Sequence, residues 1–112
     1  MDQWNIGARE TDSMRGEPDQ RQLEAAAEIL RALADPHRLR VLIRLAGGEL
    51  NVGQLAELEK EKMQTMSARL KVLLAARLVN RRRAGQMAIY AIADTHVLNL
   101  VDNAVAHACE MD

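Results

Sequence analysis

Residues 62–94, KMQTMSARLKVLLAARLVNRRRAGQMAIYAIAD, change their period part-way along. In the first half Met66, Leu70, Leu73 and Leu74 recur at three- and four-residue spacing, the mark of one apolar face on an α-helix. Beyond Leu78 the repeat shortens to two. Val79 and Arg81 alternate with Asn80 and Arg82, and Met87, Ile89 and Ala91 alternate with Ala88, Tyr90 and Ile92. The spacing predicts a helix from about Lys62 to Arg77, then two strands around a turn at Ala84-Gly85-Gln86.

Working back from that stretch, NVGQLAELE reads as a short helix with Asn51 as its cap. Before it, PHRLRVLIRLAGG is a helix that buries Leu39, Val41, Leu42 and Leu45 and stops at Gly47 and Gly48. Asp35 caps this helix, and Pro36 suits its first position, where a missing N–H has no partner to lose. An amphipathic helix precedes it over DQRQLEAAAEILRALAD, with Leu23, Ala26, Ala27, Leu30, Leu33 and Ala34 on its apolar side. Residues 1–18 are polar and punctuated by Gly16 and Pro18, which predicts a flexible arm ahead of one domain over 19–112. After the hairpin, THVLNLVDNAVAHACE forms a last helix. The fold class is therefore mainly α with a two-stranded β-hairpin. Two helices joined by a short link, followed by a basic hairpin, make a winged helix-turn-helix.

Composition narrows the function. The chain has 112 residues, 48% of them hydrophobic, with no Phe and a single Trp and Tyr, so its one core is aliphatic. No apolar run is long enough for a bilayer, and the N-terminus carries no stretch of signal-peptide type. A lone Cys109 has no internal disulfide partner, which points to the cytoplasm. The overall charge is −1, yet Lys60, Lys62, Arg69, Lys71, Arg77, Arg81, Arg82 and Arg83 face only Glu59 and Glu61 over residues 59–83. Such local excess predicts an anionic partner on one face. On the predicted reading helix, Lys62, Gln64, Thr65, Ser67, Arg69 and Lys71 lie off the apolar side. Gln and Arg can read base edges, whereas Ser, Thr and Lys mostly grip phosphates. Arg81, Arg82, Arg83 and Gln86 equip the hairpin to reach the backbone of double-stranded DNA.

These residues resemble the ArsR–SmtB family of winged-helix metalloregulators. LRALADPHRLRVLIRLAGGELNVGQLAEL is similar to the family's opening signature, and MSARLKVLLAARLVNRRRAGQMAIYAIAD to its recognition helix and wing. The resemblance implies a homodimeric repressor whose apo form holds operator DNA and whose effector, often a metal ion, releases it. Asn51, Gly53 and Gln54 stand where members with a metal site on the third helix carry cysteines, so that site is absent. Lys62-Met63-Gln64 replaces the usual Ser-Gln-Ser opening, and Ala68 stands where Arg or His is common.

The last helix carries the effector chemistry. Asp94 and His96 lie at its start, His107 and Glu110 near its end. A rise of 1.5 Å per residue separates the two histidines by roughly 16 Å, so one ion cannot bridge both pairs within a chain. Two such helices packed antiparallel across a two-fold axis bring each pair against the opposite pair of the partner, giving two nitrogen and two oxygen ligands. That set suits zinc, with cobalt, nickel and cadmium as alternatives. The resemblance agrees: its zinc sensors carry Asp-x-His, ten residues, then His-x-x-Glu/His, which Asp94, His96, His107 and Glu110 match. In this arrangement Leu100 and Asn103 lie in the dimer interface, while Val97, Val101, Ala104 and Val105 pack the helix onto its own chain or the first helix. The plain alternative is that Asp94 merely caps the helix and both histidines are surface residues. A repressor that is metal-independent, or that senses thiol oxidation through Cys109, is the second functional reading. An enzyme ranks last: four protein ligands leave no open position for water, and no nucleophile motif or small-molecule substrate pocket is signalled.

Overall fold

The computed structural model describes residues 16–110. The first fifteen residues of the expected arm, and Trp4 with them, lie outside the described part. Five helices and three strands follow in order: α1 (Gln20–Leu33), α2 (Pro36–Ala46), β1 (Leu50–Asn51), α3 (Val52–Glu59), α4 (Met63–Ala75), β2 (Val79–Ala84), β3 (Met87–Ile92) and α5 (Thr95–Glu110). Among the described residues no helix is long and apolar enough to cross a membrane.

Local chemistry sets most boundaries. Asp19 and Gln22 form a reciprocal capping box at the start of α1, and Asn51 and Gln54 do the same for α3. Asp35 accepts the Arg38 N–H at 2.9 Å, and Pro36 opens α2. That backbone hydrogen bond is the main reason the Asp35 carboxyl titrates below its ordinary range. Arg38 also reaches back, its guanidinium donating to the carbonyls of Ala32 at 2.7 Å and Arg31 at 3.2 Å, which satisfies the open end of α1.

The sheet differs from the expected hairpin by one strand. β1 pairs antiparallel with β3 through Leu50–Tyr90 and Asn51–Ile89, so the order is β1-β3-β2. A two-residue strand is too short to show a period, and its pairing partner lies some forty residues on. Ala84 pairs with Met87 around the turn, where Gly85 takes φ +65°, a left-handed conformation suited to glycine. Only Val79 of β2 is buried; the rest of that strand projects into solvent as a wing.

Val41, Leu42, Leu55, Met66, Leu70 and Leu73 are fully buried and form the centre of the core, joined by Leu78, Val79, Tyr90, Val97 and Val101. One expectation needs correcting: Val97 and Val101 pack onto the chain's own core, but Ala104 and Val105 are exposed. Leu23, Ala26 and Leu30 on the apolar side of α1 are exposed too, so both outer helices keep apolar side chains that the described residues of one chain do not cover.

The elbow between α3 and α4 is held by charge. Glu59, nearly buried, accepts from Arg40 at 2.9 Å and from Arg44, both on α2. Burial pushes its pKa up, but the hydrogen bonds and charges of the two arginines outweigh this and leave it below the ordinary glutamate value. Lys60, next in line, ends α3 at φ 56°, ψ 47°.

Two measurements follow from the elbow. A side chain in the left-handed region costs about 1–2 kcal/mol, and glycine gives back about 0.5–1 of that as chain entropy. Lys60→Gly is therefore expected to raise stability by about 0.5–1 kcal/mol in urea unfolding; a loss would show that the Lys60 side chain has a compensating role. Glu59 has a depressed folded pKa, so its contribution is complete above the ordinary glutamate range and fades as pH falls through the lowered value. Glu59→Gln should cost about 1 kcal/mol at neutral pH and flatten the stability profile on the acid side; parallel acid limbs would contradict this.

Candidate DNA interface and metal-ligand residues

α4 presents two unlike faces because apolar residues occupy only one side of it. Met66, Leu70 and Leu73 point into the core, and at 100° per residue Gln64, Ala68 and Lys71 fall on the opposite side. Gln64, Ser67 and Lys71 are all exposed, as expected, and so are Ala68 and Met63. Met63, at 57% exposure, was missed as a candidate because a methionine near a helix start reads as core. Lys62 is the N-cap residue and makes no side-chain cap, leaving the first-turn N–H groups of α4 open.

Thr65 falls on the flank of this face, and Arg69, roughly 40° from Leu73 on the same reckoning, lies nearer the buried side; both are partly covered. Arg69 departs most from expectation. Its guanidinium donates to Glu61 at 2.7 Å, and the side chain is only 16% exposed. The wing shows a similar pairing. Arg82 donates twice to Glu49, at 2.8 and 3.1 Å, a fork-on-carboxylate contact that lowers the Glu49 pKa and raises that of Arg82. Arg81 and Arg83 lie on the other side of the strand from Arg82. Both are exposed, and Arg83 reaches only the Gln86 carbonyl, at 3.3 Å. Gln86 sits exposed in the turn. The wing therefore offers Arg81 and Arg83 as its open cations, with Arg82 already neutralised.

At α5 the four candidate ligands remain in two pairs. Asp94 caps the helix: its Oδ1 accepts the Val97 N–H at 3.0 Å. The same oxygen lies 3.8 Å from Nδ1 of His96, whose side chain is 95% exposed, while that of Asp94 is 56% exposed. Capping occupies one carboxylate oxygen and leaves the other open, so the cap and a ligand role are compatible. His107 and Glu110 are exposed one turn apart at the other end. Among the described residues no three His, Cys, Asp or Glu side chains converge within one chain. Within one chain the four donors stand as two separate pairs at opposite ends of the helix.

Comparison with known proteins agrees with this architecture. A helix-turn-helix domain model matches residues 33–82. The chain is 42% identical over 91 residues to a transcriptional repressor SmtB homolog of Synechocystis, covering 81% of this chain and 69% of that protein. It is 38% identical over 93 residues to the transcriptional repressor SmtB of Mycobacterium tuberculosis, covering 83% and 69%. A homodimeric winged helix-turn-helix DNA-binding domain of Mycobacterium bovis, a possible ArsR-family regulator, superposes with a TM-score of 0.78 at 34% identity, over 85% of this chain and 90% of that one. With its α3–α4 pair, open basic wing and these relatives, the chain belongs to the ArsR/SmtB family of winged helix-turn-helix, DNA-binding transcriptional repressors rather than to any class of enzyme.

Proposed function

We propose that this chain is a zinc-responsive repressor of the cytoplasm, holding double-stranded operator DNA as an apo homodimer and leaving it when metal binds between protomers. The observation that supports this most is the division of α5 into two open half-sites, Asp94 with His96 and His107 with Glu110, too far apart for one ion in one chain. The exposed apolar residues Leu100 and Val105 lie between or beside them and suit a second copy of the helix. Once bound, a zinc ion supplies strong bonds from two protomers at once, a cross-link the apo dimer lacks. Asp94 and His96 of one chain, with His107 and Glu110 of the other, would hold it. The ion favours whichever dimer geometry lets all four ligands reach it, and by reciprocity DNA then weakens ion binding by the same factor. A repressor responding to thiol oxidation remains the second reading, favoured only by the exposure of Cys109.

Titrating zinc into the protein–operator complex is the direct test, with release at about one ion per chain expected from the shared site. A mixed dimer of His96→Ala and His107→Ala chains should keep one strong site, because one of its two composite sites loses both histidines and the other loses none. Two equal strong sites in that dimer would refute the interchain arrangement. Zinc binding with no change in DNA affinity would instead favour the second reading.

For the DNA face, Arg81→Ala and Arg83→Ala should weaken binding across all sequences and flatten the salt dependence by about 0.9 in log–log slope per lost phosphate contact. Arg82→Ala should do less, since Glu49 already pairs with that guanidinium. Glu49→Gln should strengthen non-specific binding by freeing Arg82. A weaker or unchanged Glu49→Gln complex, measured by fluorescence anisotropy at several salt concentrations, would show that Arg82 does not face the duplex.

A further inference from the structure

Arg69 is the only arginine on α4, and arginine is the side chain best suited to read guanine in the major groove. Its position is therefore decisive for what the helix can recognise. Glu61 stands two residues before the helix and is itself anchored, its N–H donating to the Ala56 carbonyl at 2.9 Å. From there its carboxylate takes the Arg69 guanidinium at 2.7 Å, with the two side chains 28% and 16% exposed. Side chains on a helix lean toward its N-terminus, so Arg69 reaches Glu61 by lying back along the flank of α4 beside Thr65. Its place on the helix sets Arg69 nearer the buried side than Gln64, Ala68 and Lys71, and the ion pair holds the guanidinium there.

The geometry points to Glu61 as a specificity-determining residue that acts by holding Arg69 off the bases. On this view, which rests on α4 being the reading helix, Arg69 is a brace of the elbow. Base discrimination falls to Gln64, whose amide can pair both ways with adenine, helped by Ser67 and by the apolar Met63 and Ala68, which suit thymine methyl groups. The partly covered ion pair competes well with a DNA contact, because leaving it strands Glu61 as a half-covered carboxylate beside the polyanion. Without Glu61 the five guanidinium donors are untethered on the flank of α4 and the long side chain is free to swing toward the groove, where a guanine contact becomes available.

Selection of bound duplexes from a randomised pool, using the full chain in its metal-free form, distinguishes the alternatives. Glu61→Ala should gain a guanine preference of about tenfold at one position in each half-site, the size of a modest bidentate contact. Arg69→Ala should keep the wild-type order of base preferences while losing thermal stability. The double variant should return to the wild-type order, a reversal that a purely structural role for Glu61 would not produce. If Arg69→Ala fails to fold by circular dichroism, Arg69→Met keeps the aliphatic stem and answers the same question. Loss of discrimination at a base pair in either Arg69 variant, or no new preference in Glu61→Ala, overturns the inference. A wild-type chain that enriches no duplex at all would overturn the DNA reading itself, a failure of a different kind.

Discussion

Everything in this fold hangs on the double duty of α4. Met66, Leu70 and Leu73 are fully buried and meet side chains from α2, α3 and the strand that follows, so the helix is a central element of the core. Its other side is exposed and, in the proposed function, is the surface offered to DNA. A helix free to shift would be a poor reader, since base contacts depend on placement to a fraction of an ångström. Burying one face of the same helix removes that freedom. Full burial of a leucine is worth roughly 1.5–3 kcal/mol, so three such residues hold the helix more firmly than any surface contact could.

The elbow adds a second kind of restraint. Glu59 and Glu61 flank Lys60, and each carboxylate is claimed by arginine from a different helix, α2 in one case and α4 in the other. Charge here serves geometry. Exposed ion pairs contribute little, but both glutamates are at least partly covered, and a covered carboxylate without its partner is costly. The Glu59 pairs thus tie the end of α3 to α2, and the Glu61 pair ties the turn to α4.

How much of this was legible depends on range along the chain. The five helices and the wing follow from local patterns: Asp35 with Pro36, Asn51 with Gln54, and the change of period near Leu78. β1 was not legible, because Leu50 and Asn51 become a strand only through Tyr90 and Ile89. The site residues were identified by type and spacing alone; those at α5 and on the open side of α4 are exposed. Pairing was hidden. Nothing within a local window ties Glu49 to Arg82 or Arg40 to Glu59, and the charge count over 59–83 treated as free two arginines that the fold engages. Of the residues in the charged run 57–62, Glu59 and Glu61 take part in two of those contacts.

The uncovered leucines of the outer helices have a consequence for the regulator as a population. Among the described residues, Leu23 and Leu30 on α1 and Leu100 on α5 are exposed in the single chain. In a dimer that covers them, part of the folding free energy is collected only on association, so mass action enters the stability of each chain. Tm then rises with protein concentration, and at a few copies per cell the fraction of competent repressor depends on how many chains are present. Abundance itself becomes an input to repression, alongside any ligand.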